Sequence, residues 1–158
     1  MKKALLLSAI LSFMMLQACQ NNGDIGSLFG SWRIDSYRIN DEIITEFEIG
    51  DMNIPVDHVI FSFQNNIVNV ETVLDNYLNH YSQFGTWSKD GDIFILDFTH
   101  YDADTESGTA HYSAPIWIGM TSDVPMVMTV SDNKKNSFTL TWIDPHGNVK
   151  VYKFHKTW

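Results

Sequence analysis

Apolar and polar residues alternate with a period of two along most of the chain after residue 58. This pattern predicts β-strands, because successive side chains of a strand point to opposite faces. Val59, Phe61 and Phe63 share one face, and the alternation resumes after the turn residues Asn65 and Asn66. The stretch therefore predicts a β-hairpin.

Two further hairpins follow by the same reasoning. The stretches "HYSQFGTWS" and "DIFILDF" are separated by "KDG", whose aspartate and glycine tolerate the positive φ of a tight turn. The stretches "SFTLTWID" and "VKVYKFHK" are separated by "PHGN", and "PMVMTV" supplies a short strand before them. In the last strand the apolar positions shift from Val149 and Val151 to Tyr152 and Phe154, which predicts a β-bulge there.

Consecutive hairpins without helical periodicity predict an all-β fold. We expect an antiparallel up-and-down meander of about eight to ten strands that closes into a barrel, with a β-sandwich as the alternative. Closure favours the barrel because it removes the exposed edges of the sheet.

The amino end has a different pattern. An apolar run from Ala4 to Leu16 follows Lys2 and Lys3, and it is shorter than the roughly 20 residues that a membrane-spanning helix needs, so it predicts an export signal. The run ends in Leu16-Gln17-Ala18-Cys19, which resembles the lipobox of bacterial lipoproteins. That resemblance implies cleavage before Cys19 and a diacylglycerol on its sulfur; the alternative is an ordinary secretory signal cut near an unrelated cysteine.

Composition is consistent with one domain that lacks disulfides. The signal would be residues 1–18, a lipidated tether residues 19–28, and the folded domain residues 29–158, and Cys19 is the single cysteine of the chain. Loss of the two signal-peptide lysines leaves 8 basic residues against 19 acidic ones, a formal charge of −11. Such a charge argues against nucleic acid and anionic membrane surfaces as partners.

The stretch "LFGSWRIDSY" resembles the Gly-X-Trp signature of lipocalins, through Gly30, Ser31 and Trp32. The resemblance implies that this tryptophan packs at the closed end of the barrel, under a cation from the last strand. No arginine follows residue 38, so Lys153 or Lys156 would take that position. The mature chain as a whole resembles the lipocalin-like lipoproteins of certain Gram-negative bacteria, including its final "VYKFHKTW".

This resemblance implies a membrane-anchored protein that binds a small apolar or amphiphilic ligand in its barrel. An eight-stranded barrel is just wide enough to hold one small ligand or to be filled by side chains. The outcome depends on six bulky candidates for the barrel interior: Trp32, Phe61, Phe63, Trp87, Phe138 and Trp142. A filled barrel would favour the alternative, a non-catalytic module that binds an envelope protein or a glycan.

Two long connections carry acidic residues. The stretch "INDEIITEFEIGDMNIPVD" is predicted to be either a lid over the barrel mouth or an additional strand. In the second, "HYDADTESGTAHYSAPIWIGMTSD", the donors His100, Asp102, Asp104, Glu106 and His111 fit neither calcium-loop nor zinc spacing, so a solvated loop without metal is expected. Its "APIWIGM" stretch predicts a further strand.

No catalytic residues, enzyme activity or cofactor are predicted. The six histidines are scattered, and the chain has no Gly-X-Ser-X-Gly elbow and no free thiol once Cys19 is lipidated. The predicted partners are the membrane, through the N-terminal lipid, and a small hydrophobic ligand or an envelope protein. By resemblance to sorted lipoproteins, Gln20 after the cysteine favours the outer membrane, on its periplasmic side.

Overall fold

The computed structural model describes residues 28–74, 79–99 and 113–157. Within them the chain forms eleven β-strands and two short 3-10 helices, at Val56–His58 and Ile116–Ile118. The strands are β1 (Gly30–Ile39), β2 (Glu42–Ile44), β3 (Glu46–Ile49), β4 (Met52–Pro55), β5 (Val59–Gln64), β6 (Ile67–Leu74), β7 (Asn79–Asp90), β8 (Ile93–Asp97), β9 (Met126–Lys134), β10 (Ser137–Ile143) and β11 (Val149–Lys156).

Eight of these strands close into an antiparallel barrel. Strands β5 to β11 pair in sequence order, β1 pairs with β5 at its start, and β1 pairs with β11 along its length. The short β2 continues on the same side of β1 as β5, beside Tyr37–Ile39. The predicted meander, its three hairpins and the strand before β10 are confirmed, and the β-sandwich alternative is wrong.

The barrel has two dissimilar ends, which we call the base and the mouth. The base is the end where β1 begins, and short turns join β5 to β6, β7 to β8 and β9 to β10 there. The mouth is the opposite end, where the connections 40–58 and 144–148 lie, together with residues 98–99 and 113–125 of the β8–β9 connection, which are the residues of that connection that the structure describes. The described parts of both long connections therefore lie at the same end.

The phase shift of the alternation lies in the first strand and not in the last. Strands β10 and β11 pair without a register shift, whereas β1 has one extra residue between Ile34 and Ser36. This bulge places the buried Trp32 and Ile34 on the same inner face as the later Tyr37. The bulge predicted in β11 is therefore wrong. Because β11 alternates regularly, its inner face includes Lys150 together with the buried Tyr152 and Phe154.

Two segments cover the mouth. Strands β3 and β4 form a separate two-stranded hairpin, which buries Phe47 and Ile54 and contacts the 3-10 helix at residues 116–118. The first long connection thus combines the two predicted alternatives, since it forms short strands that lie over the mouth as a lid. The strand predicted for "APIWIGM" is wrong, because this segment forms the 3-10 helix.

The packed fold includes Leu28, one residue before the predicted boundary at residue 29, because this side chain is buried in the core. The predicted signal peptide and the rest of the tether lie outside the described residues. No helix in the described part of the chain is long and apolar enough to cross a membrane.

Candidate functional site

The lower half of the barrel interior is filled by aromatic side chains. All six predicted interior residues are at least 93% buried; Trp142 lies at the mouth, and the other five lie towards the base: Trp32, Phe61, Phe63, Trp87 and Phe138. Phe63 makes ring contacts with four neighbours at centroid distances of 5.3 to 6.3 Å. Phe138 stacks on Phe154 at 4.7 Å. Edge-to-face and stacked rings of this density fill the base with side chains.

Trp32 lies fully buried at the base of the barrel. Its indole Nε1 donates a hydrogen bond to the Leu28 carbonyl at 2.8 Å, and the ring packs edge-on against Phe138. The Lys156 Nζ lies 5.3 Å from the centroid of the Trp32 ring. Of the two last-strand lysines considered for this position, Lys156 is the one that contacts the ring.

Open space occurs at the mouth. A cleft of about 330 Å³ lies between the β8–β9 connection and the β10–β11 hairpin. Its volume falls at the lower end of the range of small-molecule pockets. Apolar atoms from Met120, Val124 and Trp142 line it beside polar groups from Asp144 and Lys150. Such a mixed lining suits an amphiphilic molecule better than a purely apolar one.

The Lys150 ammonium is held by three groups in this cleft. Its Nζ lies 3.2 Å from Asp144 Oδ2, donates a hydrogen bond to the Gly119 carbonyl at 2.8 Å, and lies 4.9 Å from the centroid of the Trp142 ring. Trp142 and Lys150 are directly opposite each other on β10 and β11. The positive charge is thus neutralised within the protein, and its position is fixed.

Gly119 brings the connection close enough to make these contacts. Its φ of 77° lies in the left-handed region, and a Cβ there would come within 2.9 Å of the Tyr37 hydroxyl and 3.0 Å of Lys150 Nζ. Only glycine avoids both the strain and the clash. Beside it, the Tyr152 hydroxyl donates a hydrogen bond to the Ile118 carbonyl at 2.9 Å. The 3-10 helix is therefore fastened to the inner face of β11.

The other side of the 3-10 helix reaches the opposite wall of the barrel. The Trp117 Nε1 donates a hydrogen bond to Thr72 Oγ1 at 3.2 Å, and its ring lies 6.1 Å from that of Tyr81. The helix thus crosses the mouth from β6 and β7 to β11. Its Ile118 side chain is fully buried in the core.

Asp144 organises the turn at the rim of the cleft. Its carboxylate accepts hydrogen bonds from the backbone amides of His146 and Asn148, each at 2.9 Å, and from the Asn148 side chain at 3.1 Å. Desolvation opposes ionisation of this group, but these hydrogen bonds and the one from Lys150 outweigh it, so the pKa of Asp144 lies well below its usual range. The Asp144 carboxylate is therefore ionised at neutral pH.

Two tyrosines lie beneath the cleft as a stacked pair, with centroids 4.6 Å apart. Burial raises the pKa of Tyr37, and burial together with the neighbouring Tyr37 and Asp144 raises the pKa of Tyr152 well above its usual value. Both hydroxyls therefore remain protonated and neutral. They provide polar but uncharged atoms at the floor of the mouth.

The surface around the mouth is strongly acidic. Exposed carboxylates lie on the lid hairpin, its flanking turns and the rim of the cleft, at Asp41, Glu42, Glu46, Glu48, Asp51, Asp57 and Asp123. In the described part of the chain, the exposed arginine Arg38 lies near these carboxylates. An anion approaching the cleft would therefore meet repulsion, whereas a cation would meet attraction.

Sequence reasoning missed Lys150 and Asp144 as site residues. The sequence did indicate that Lys150 faces inward. In a regular strand every second residue lies on the same face, so a face that contains Tyr152 and Phe154 also contains Lys150. Placing the bulge in β11 hid this alternation. A local signal for Asp144 was present as well, because an aspartate that opens the turn "DPHGN" can accept hydrogen bonds from the backbone amides of that turn. Its partners in the structure lie in the same turn and on Lys150.

The predicted acidic loop at residues 100–111 lies outside the described residues. Among the residues that are described, no group of three or more histidine, cysteine, aspartate or glutamate side chains is arranged to hold a metal ion.

Comparisons with solved structures identify the class of fold. The chain is similar to a lipocalin-like protein from Bacteroides uniformis, with a TM-score of 0.52 and 19% identity over 83% of this chain and 99% of that one. It is also similar to an uncharacterized protein from Bacteroides eggerthii, with a TM-score of 0.52 and 13% identity over 81% of this chain and 98% of that one. At these identities the similarity establishes the fold, which is a lipocalin-like barrel.

Sequence comparisons add no family assignment. No protein-family model matches the chain, and no curated protein matches it.

Proposed function

We propose that this chain is a lipid-anchored, non-catalytic binding protein of the cell envelope that takes a small amphiphilic ligand at the mouth of its barrel. The observation that supports this most directly is the cleft between Met120, Trp142 and Lys150. The filled base confines a ligand to the mouth. This differs from a hollow carrier, in which an acyl chain would occupy the barrel axis.

The charges at the mouth narrow the ligand class. The Lys150 ammonium is already paired with Asp144 and the Gly119 carbonyl, so it is not free to bind a carboxylate. The acidic surface around the mouth would repel anions as well. We therefore infer that the ligand is neutral or cationic, with an apolar part against Met120 and Trp142 and a polar part near Asp144.

Three probes with the same ten-carbon chain and different head charges test this inference: decanoate, decanol and decyltrimethylammonium. Calorimetry on the mature domain should detect saturable binding of the neutral and cationic probes and about tenfold weaker binding of decanoate. Trp142→Phe should weaken binding several-fold, because its smaller ring loosens the apolar wall. Trp87→Phe, a matched change in the filled base, should leave it unaltered.

Calorimetry also keeps loss of binding distinct from loss of a fluorescent reporter. Preference for decanoate, or equal binding by both tryptophan variants, would contradict the proposed site. Native mass spectrometry of the purified protein offers a second readout, in which a copurifying small neutral or cationic molecule supports the proposal.

The anchor is tested separately. Cys19→Ser should remove the mass of the diacylglycerol and of any further acyl chain, and should move the protein from membranes to the soluble fraction. Two or three acyl chains give lasting attachment, whereas one gives only marginal binding. An unmodified wild-type mass would contradict the anchor without bearing on the cleft. The outer membrane, on its periplasmic side, remains our proposed location.

A second candidate function is favoured by one observation on the outer wall. Val149 and Ile143 are directly opposite each other on β11 and β10 and point outward, and Val127 on β9 is also exposed. These aliphatic side chains are 38 to 66% exposed. Adjacent exposed aliphatic residues on a sheet suit contact with an envelope protein. Ile143→Ser with Val127→Ser should then abolish a specific crosslink, whereas Thr129→Ser with Thr141→Ser should not.

A further inference from the structure

Charge is distributed unevenly between the two ends of the barrel. At the base, lysines extend from the β7–β8 turn, the β9–β10 turn and the end of β11, at Lys89, Lys134, Lys135 and Lys156. In the described part of the chain, three carboxylates lie among these lysines, at Asp90, Asp92 and Asp132. The base thus has a slight excess of positive charge, in contrast to the acidic mouth.

The net charge of the whole chain does not describe how either end interacts with a charged surface. At physiological ionic strength the Debye length is about 8 Å. A strand of eight residues such as β11 spans roughly 25 Å at about 3.3 Å per residue. When the base approaches a charged surface, the charges of the mouth are therefore largely screened from that surface. The charges of the base are screened in the same way when the mouth approaches. The charge of −11 calculated for the chain without its predicted signal peptide, which argues against anionic membrane surfaces, therefore does not describe the base, where the described residues place four lysines and three aspartates.

The tether joins the fold at the base. Leu28 is buried, and its carbonyl accepts the hydrogen bond from Trp32, so the chain is pinned there. Phe29, the next residue, is 51% exposed and presents an aromatic ring at the same end. Cys19 lies nine residues before Leu28, a length of chain that reaches at most about 30 Å. An anchor at Cys19 would thus hold the base close to the lipid.

We propose that the base of the barrel is a membrane-docking surface, which lies on anionic lipid headgroups and directs the mouth away from the membrane. This inference rests on the anchor in the proposed function. Tether length alone does not orient the barrel, because about 30 Å of chain would also let it turn over. Attraction of the lysines and repulsion of the acidic mouth supply the preference. The cleft would then face the aqueous phase, where a ligand can reach it.

A single introduced cysteine can report the orientation, because the chain has no other cysteine than Cys19. Asn66→Cys places a thiol at the base and Asn53→Cys places one on the lid hairpin, and both positions are exposed. The full lipidated protein is labelled with a fluorophore and inserted into vesicles that contain a headgroup-attached nitroxide quencher. One set of vesicles is phosphatidylcholine alone, and the other contains about one third phosphatidylglycerol.

On the anionic vesicles we expect stronger quenching of the Asn66→Cys label than of the Asn53→Cys label, and a smaller difference on phosphatidylcholine. Adding Lys134→Gln and Lys135→Gln should reduce the quenching ratio by roughly two- to fivefold. Arg38→Gln with Lys153→Gln removes the same number of positive charges away from the base, and it should not reduce the ratio, because it leaves the base lysines in place and makes the mouth more acidic.

Each other outcome overturns the docking surface. Equal quenching of the two labels, stronger quenching at the mouth, or equal effects of the two double variants would contradict it. A ratio that depends on protein density would indicate contact between copies of the chain instead of lipid. Mass spectrometry of the same sample separates the two proposals. A protein without acyl chains overturns the anchor and the orientation together, whereas an acylated protein with equal quenching overturns the orientation alone.

Discussion

At the base of the barrel, interlocked rings fill the interior and short turns join the strands; at the mouth, long connections lie over tyrosines, a lysine and a carboxylate beside an open cleft. The two ends belong to one closed sheet and share its strands. Packing in the base is apolar and dense, so its contribution to stability is large and its capacity for binding is small. The mouth has the opposite balance, since its polar groups and loops provide specificity instead of core stability.

The sharpest test of this contrast is to remove one phenylalanine from each end. Phe63→Ala should lower the free energy of unfolding by about 3–5 kcal/mol, because its ring contacts four others in the base. Phe47→Ala on the lid should lower it by only about 1–2 kcal/mol, because the lid hairpin can open locally. Urea denaturation measures both. Equal costs would contradict the contrast between the two ends.

The middle of the barrel wall provides the next largest effect. A Cβ on Gly85, within β7, would lie 2.6 Å from the Phe98 ring and 2.7 Å from the Asp97 carbonyl. Gly85→Ala should therefore cost about 1–3 kcal/mol through overpacking. Ser88→Ala, an exposed change on the same strand, should cost less than about 0.5 kcal/mol. Thermal denaturation followed by circular dichroism would compare the two variants. If Gly85→Ala leaves the melting temperature unchanged, the strand can shift to accommodate a Cβ, and the overpacking argument is wrong.

The rim of the mouth should respond to pH. The pKa of Asp144 is lower in the folded protein than in the unfolded chain, so its stabilising contribution is complete above about pH 4 and decreases as the pH falls further. Asp144→Asn should lower the melting temperature at pH 7, and the difference from wild type should shrink below about pH 4. Asp123→Asn makes the same charge change at the rim without removing these hydrogen bonds. A difference that grows in acid would contradict the assignment.

The smallest effect is expected at the base, where Lys156 lies over Trp32. Lys156→Gln should cost about 0.5–1 kcal/mol through loss of the cation–π contact, and it should alter tryptophan fluorescence. Lys153→Gln should cost less than about 0.5 kcal/mol, because it removes only an exposed pair with Asp35 at 3.6 Å. If the two variants are indistinguishable in chemical denaturation, the contact contributes nothing to the base.

Much of the barrel could be predicted because alternation is a local property. Val59, Phe61 and Phe63 share a face in any strand, and the burial of all three follows from the need to cover that face. Positive φ at Asn65 and Gly91 likewise follows from the turns that the residue types favour. These features need no knowledge of which strands become neighbours.

The bulge could not be located from the chain alone. An extra residue at Asp35 is defined only by the pairing of β1 with β11, strands at opposite ends of the sequence. The change of apolar positions near Val151 suggested a bulge in β11, whereas the bulge lies in its partner strand, β1. That error concealed Lys150, whose side chain faces into the barrel.

The sequence by itself determined most of the strands and the hairpin turns, because alternation and turn residues depend on neighbours within a few residues. The tertiary structure decided that the sheet closes and that the candidate aromatic side chains point inward. The tertiary structure alone decided which positions form the cleft, because Gly119, Asp144 and Lys150 meet only after the β8–β9 connection folds over the mouth. It also decided that acidic side chains gather at one end and lysines at the other. Charge has no period along a strand, so its spatial distribution follows from closure of the sheet.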